Sequence, residues 1–184
     1  MHHVDFYGHS DADMLEIGNG LNLQQERSHF ALWTAMKSPL LIGTDLARIK
    51  RESLEILKTK ALLEFHQDQN IGRPAIPFRW NWTYDIKNPP RYWAGQYSGG
   101  VMVWLFNSNS RSDTMTIPTK EIPGLPAAKS YTIVDAWNGK TGCITDILEV
   151  KNIAAFDTAV YTLKPGGADC RSEKIVLQDP ALGY

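Results

Sequence analysis

Cysteine is scarce in this chain: only Cys143 and Cys170 occur among its 184 residues. Two widely spaced thiols make no zinc pattern, so no metal site is expected from them. Two readings stay open, a disulfide between them if the protein is secreted, or a pair of buried free thiols. Long hydrophobic runs are also missing. Nothing approaches the roughly 18 consecutive apolar residues of a membrane span, and no membrane partner is expected. The opening Met1-His2-His3-Val4-Asp5 lacks the charged-then-apolar layout of a secretory leader. Charge of one sign is absent too. The net charge is -1, which argues against a nucleic-acid partner, whose recognition needs a basic stripe. The chain has no Gly-x-Ser-x-Gly elbow, no P-loop and no Gly-x-Gly-x-x-Gly. It has no internal repeat and no low-complexity tract.

Apolar residues make up 43% of the chain, which is ordinary for a globular protein. Residues 4 to 8 suggest a short strand that runs into Asp11-Ala12-Asp13-Met14, and Gly18-Asn19-Gly20 then breaks regular structure. Asn22 with Gln25 three residues on marks a helix start, and that helix should reach about Lys37, where Pro39 stops it. Leu40-Leu41-Ile42 reads as a fully buried strand of a parallel sheet. One further helix is expected from about Arg51 to Phe65. Leu54, Leu57, Ala61, Leu62 and Phe65 share its apolar face, and Lys50 is a poor cap for it.

The character changes after residue 70. Pro74, Pro77, Pro89 and Pro90 punctuate a linker that carries Phe78, Trp80 and Trp82. Short β-rich runs follow at 92–97, 101–106, 114–117, 130–136, 144–150 and 159–163, with turn residues between them. This pattern predicts an antiparallel sandwich or barrel. The reading is thus a βαβα segment up to about residue 75, an all-β domain, and a loosely held tail from Gly166.

Asp11 and Asp13 are the strongest chemical candidates in the residues themselves. If the strand extends through them, i and i+2 face one side and both carboxylates enter one pocket. Paired carboxylates do acid and base work in glycosidases. The alternative is that one of them caps a turn beside the glycine loop. They do not form a calcium loop, because the apolar Leu15 stands at the third ligand position. His9 and His29 lie nearby, and a histidine beside an apolar helix is more often a packed, hydrogen-bonded residue than a catalyst. Trp80, Trp82, Trp93 and Trp104 could stack on sugar rings or fill core and interdomain space. Asn81-Trp82-Thr83 is a glycosylation sequon, which would mark Asn81 as a surface site in a secreted protein.

Several segments together carry a resemblance. They are Asp11-x-Asp13-Met14-Leu15-Glu16-Ile17-Gly18-Asn19-Gly20, His29-Phe30-Ala31-Leu32-Trp33, Lys37-Ser38-Pro39-Leu40-Leu41-Ile42-Gly43-x-Asp45-Leu46, Leu54-Glu55-Ile56-Leu57 and Gln67-Asp68. In order and spacing they resemble the α-galactosidases (melibiases) of glycoside hydrolase family 27, fungal type. Residues 131–138 and 155–165 resemble the family's C-terminal domain more loosely. The resemblance implies an α/β plus all-β fold: the last two β/α units of a (β/α)8 TIM barrel, then an antiparallel β-sandwich. The implied division is 1–72 barrel, 73–165 sandwich and 166–184 tail.

By the same resemblance Asp13 and Met14 line the galactose subsite and Asp11 supports their loop. The family's nucleophile and acid/base aspartates belong to earlier segments, so no catalytic residue is expected in this chain. His9, Ser10 and Ala12 depart from the residues that many members carry around the acids. The implied parent is a secreted enzyme that removes terminal α-galactose from oligosaccharides or galactomannan. It would use a retaining route between two carboxylates about 5 Å apart, without metal or organic cofactor. The expectation is a chain that starts inside a longer protein and is inactive alone. Three alternatives stand beside it: a carbohydrate-binding sandwich, a truncated non-catalytic product, and a relative acting on α-N-acetylgalactosamine or β-L-arabinopyranose.

Overall fold

The computed structural model describes residues 7–79, 89–166 and, for the backbone, 177–178. Trp80, Asn81, Trp82, Cys170 and residues 4–6 of the first expected strand lie outside the described residues.

The first helix begins where the sequence places it. Helix α1 spans Leu23–Met36, and Asn22 and Gln25 close a reciprocal capping box. Each side chain accepts the other's backbone N–H, which satisfies two of the orphan donors of the first turn. The helix ends at Lys37, whose φ of 53° is left-handed.

The second expected helix is two, α2 (Arg51–Leu57) and α3 (Lys60–His66). The chain leaves helical geometry at Thr59, with ψ 101°. This break turns the buried set from Ser53 and Ile56 to Leu62 and Phe65, which no single straight helix face would hold together.

Leu40-Leu41-Ile42 is not a buried strand. It forms one parallel bridge, Leu15 with Ile42, and Leu41 and Ile42 are about half exposed. Parallel strands become fully buried only with neighbours on both sides, and no further strand pairs here among the described residues.

Nine strands follow among the described residues: β1 (Ile76–Phe78), β2 (Tyr92–Tyr97), β3 (Gly100–Phe106), β4 (Asp113–Pro118), β5 (Tyr131–Asp135), β6 (Thr141–Ile144), β7 (Ile147–Ile153), β8 (Thr158–Pro165) and β9 (Leu177–Gln178). They make a six-stranded sheet, β1-β2-β3-β8-β5-β6, facing a three-stranded one, β4-β7-β9. The run expected at 144–150 is split between β6 and β7, which belong to different sheets. Of the stretch after Gly166, expected as a loosely held tail, residues 177–178 are described. Residues 177–178 pair in parallel with Val150 and Lys151, because the edge of β7 offers them unpaired backbone groups.

Strand β3 shows how the layers are assembled. Period-2 alternation sends Val101, Val103 and Leu105 into the core between the sheets, and Met102 and Trp104 to the opposite face. On that face they meet Phe30, Ala31 and Ala35 of α1 and Leu62 and Phe65 of α3. The large sheet is therefore covered on both sides. Phe65 lies edge-on to Trp104 at 4.7 Å between centroids. Gly95 makes room for it, since a Cβ there would lie 2.7 Å from the Phe65 ring. Burying each such side chain stabilises the fold by about 1.5–3 kcal/mol. Trp93 and Trp104 are thus packing residues, 7% and 0% exposed.

A charged pair crosses the same interface. Arg27 of α1 meets Asp157 at 3.2 Å with both side chains buried. Its guanidinium also lies 4.7 Å from the ring centre of Trp137. Ser28 Oγ donates to Phe156 O and contacts Thr158 Oγ1, each at 2.7 Å. Arg27→Met should destabilise the chain by about 3–5 kcal/mol, because it leaves the Asp157 carboxylate buried without its counter-charge. Denaturant unfolding measures this, and adding Asp157→Asn should recover part of the loss.

Candidate functional site

Residues 11–14 lie at one end of the parallel bridge, where Leu15 N–H donates to Leu41 O at 2.7 Å. Asp11, Asp13 and Met14 are exposed, while Leu15 and Ile17 point into the core. The extended reading of Asp11 and Asp13 fails. Asp13 has φ 72°, so the chain turns there rather than continuing as a strand. Asp11 Oδ1 accepts the Asp13 N–H at 2.9 Å, and Asp13 Oδ1 accepts the Met14 N–H at 2.7 Å. Short acidic side chains tolerate the left-handed region because they bond their own backbone in this way. One oxygen of each acid is thus engaged in shaping the turn.

The turn is anchored from two directions. Ser38, directly after α1, is buried and accepts the Ala12 N–H through Oγ at 2.9 Å. Beneath Ser38, the Lys37 ammonium is buried against the C-terminal carbonyls of α3, with Nζ donating to Phe65 O at 2.5 Å and His66 O at 3.0 Å. Burial lowers the Lys37 pKa to about 8, against the opposing pull of Asp68. His66 contacts Ser38 O through Nε2 at 2.8 Å. Met14 packs over Gly43, where an added Cβ would lie 3.0 Å from its terminal methyl.

The second direction is the flank of α1. Glu26 Oε1 accepts the Gly18 N–H at 2.8 Å, His29 Nε2 accepts the Glu16 N–H at 3.1 Å, and Trp33 Nε1–H donates to Asp13 O at 2.9 Å. His29 and Trp33 stack with centroids 3.9 Å apart. Positions i, i+3 and i+7 form one stripe of a helix, and here the stripe bonds backbone while Trp33 also packs against the core. His29 is therefore a packed, hydrogen-bonded residue. The roles of Glu26 and Trp33 were not read from the sequence; polar groups at this spacing beside an apolar face are the signal that could have shown them. Asp45 only caps a local turn, accepting Ala47 N–H, with Arg48 beside it on the surface.

Comparison with known proteins gives the family. Residues 5–68 match the family described as alpha galactosidase A, and residues 87–163 match the alpha galactosidase C-terminal beta sandwich domain. The Aspergillus oryzae protein named "Probable alpha-galactosidase B" is 47% identical over 163 residues, 82% of this chain and 37% of that protein. The chain belongs to the α-galactosidase (melibiase) family, glycoside hydrolase family 27.

Alpha-galactosidase I of Mortierella vinacea superposes with a TM-score of 0.74 at 26% identity, covering 86% of this chain and 40% of that one. The α-galactosidase of Saccharomyces cerevisiae gives 0.73 over 86% of this chain and 47% of that one, and at 24% identity it speaks for the fold alone. The architecture is the last part of a TIM barrel followed by the family's β-sandwich. The chain spans less than two fifths of the length of the curated relative it matches.

The site carries its own pH dependence. Burial lowers the His29 pKa, against the opposing effects of its Met14 backbone hydrogen bond and the Glu16 charge. In the unfolded chain the imidazole returns to about 6.5. Below that value the unfolded state binds the proton more readily, so stability falls as pH drops from about 6.5 to the folded pKa. The acid-side decline in denaturant midpoint should be shallower in His29→Gln than in the parent chain.

Proposed function

We propose that this chain supplies one wall of the galactose pocket of a retaining, exo-acting α-galactosidase. The observation that carries this reading is the anchored Asp13–Met14 turn, exposed at the end of the Leu15–Ile42 bridge. In (β/α)8 barrels the C-terminal strand ends form the active-site rim. Asp13 is the sugar-contacting carboxylate, with its second oxygen accepting from a sugar hydroxyl. Met14 gives the ring an apolar surface, and Asp11 holds the turn. The substrate class is a terminal α-galactoside, in keeping with the α-galactosidase names of the relatives.

Bond cleavage belongs to two other carboxylates. A retaining route needs a nucleophile and an acid/base on opposite sides of the glycosidic bond. Asp11 and Asp13 are adjacent on one turn, each with an oxygen committed to a backbone amide. One parallel bridge among the described residues does not enclose a sugar either. The 184-residue chain alone should therefore leave a nitrophenyl α-galactoside intact.

We extend the proposal to the division of the chain near residue 72 and to secretion. Cys143 is disulfide-bonded, which suits an oxidising compartment. Cys170 is its proposed partner and Asn81 a proposed glycan site.

The test replaces the matching segment of the Aspergillus oryzae relative with this chain. Asp13→Asn in that chimera should weaken substrate binding by about 1.5–3 kcal/mol, the range for a hydrogen bond to a charged group. The variant should still form the covalent adduct with a fluorinated galactoside. Loss of adduct with an intact fold would make Asp13 the nucleophile and overturn the assignment.

A further inference from the structure

The pocket reading above names residues that would touch sugar. We infer that Glu26, His29 and Trp33 are positioning residues that hold the Asp13–Met14 turn in its sugar-binding shape. This inference rests on that reading for its enzymatic consequence, but its structural content stands apart from it.

Three observations carry it. First, the helix stripe and the loop run in opposite directions with matched spacing. Gly18 meets Glu26, Glu16 meets His29 and Asp13 meets Trp33, so the helix fixes the loop at three points. Second, Asp13 sits at φ 72°, a conformation that costs a residue with a Cβ and persists only where surroundings hold it. Trp33 holds the carbonyl of that same residue, and Asp11 holds its amide. Third, the three contacts are made to backbone atoms. They set the position of Asp13 and Met14 whatever side chains follow, and they leave the Asp13 carboxylate to the ligand.

Stacking couples two of the three contacts. The His29 ring lies against the Trp33 ring, so a shift of either displaces the other. The acceptor on His29 exists only in the neutral imidazole, and burial favours that form. Trp33 is indispensable for its N–H as much as for its bulk, since phenylalanine keeps a flat ring but has no donor.

Amide hydrogen exchange on the 184-residue chain tests the structural part. His29→Leu should speed exchange at Met14 and Glu16 by about tenfold or more, while the amides of β3 keep their protection. His29→Gln restores an acceptor and should return those rates to within about threefold of the parent. Trp33→Phe should speed exchange over the same residues without removing the aromatic ring. Unchanged rates at Asp13 to Glu16 in both His29→Leu and Trp33→Phe, with β3 still protected, would overturn the inference.

Kinetics of the chimera with the Aspergillus oryzae relative tests the functional part. His29→Leu should raise KM by about tenfold with kcat within about threefold, the pattern of lost uniform binding. Added to Asp13→Asn, it should raise KM by no more than about twofold further, because residues that act through one contact are not additive. Full additivity would overturn the inference, since it would mean that His29 acts independently of Asp13. If Asp13→Asn itself changes neither KM nor kcat, the pocket reading fails, and the exchange rates still decide whether the stripe holds the turn.

Discussion

A guanidinium sealed between two layers is the constraint on which the rest of this structure depends. Arg27 leaves α1 on the side that faces the large sheet, and there it meets Asp157 and the ring of Trp137. Removing such a group from water is costly unless charge and hydrogen bonds replace the lost hydration. The replacement is supplied by the segment that enters β8. Asp157 Oδ1 also accepts the Thr158 N–H, and Trp137 Nε1–H donates to Thr158 O. Asp135, one strand away, has its carboxyl pushed up by burial and pulled down by the Trp137 and Asn138 donors. The pair thus ties the helix to the start of β8 at one point, beside the apolar packing.

From that point, α1 serves two neighbours at once. One arc of the helix, with Phe30, Ala31 and Ala35, completes a core with Met102, Trp104 and Val160. The flank at Glu26, His29 and Trp33 governs the acidic loop. The sandwich has no residue in that loop, yet it sets the loop's place through the helix. The same helix thus links the loop to the large sheet. The barrel-type segment cannot close its own core, because much of that core is the outer face of the large sheet.

Strands β2, β3, β4, β5 and β8 were legible because each has turn residues nearby and branched or aromatic residues within, whereas β1 fell in the expected linker, β6 and β7 in one expected run, and β9 in the expected tail. The start of α1 was legible because capping is local chemistry between Asn22 and Gln25. The break at Thr59 was not, since the apolar spacing of 54–65 continues through it. Leu41 and Ile42 misled for a related reason. Their composition suits a strand with neighbours on both sides, and composition carries no information on which neighbours are present. The acids mislead because strand alternation does not reach Asp11: Asp13 turns left-handed and bonds its own neighbour.

The sequence by itself determined the family and the start of α1, and it singled out Asp11, Asp13 and Met14 as the candidate set, because motif spacing and capping are properties of neighbouring residues. Only the tertiary structure decided how that set is held. Arg27 with Asp157 joins residues 130 positions apart, and Trp33 reaches Asp13 across 20 positions. Such contacts arise where chain segments are brought together by the packing of α1 on the sheet, and no local pattern encodes which distant partner a buried charge or an indole N–H will find.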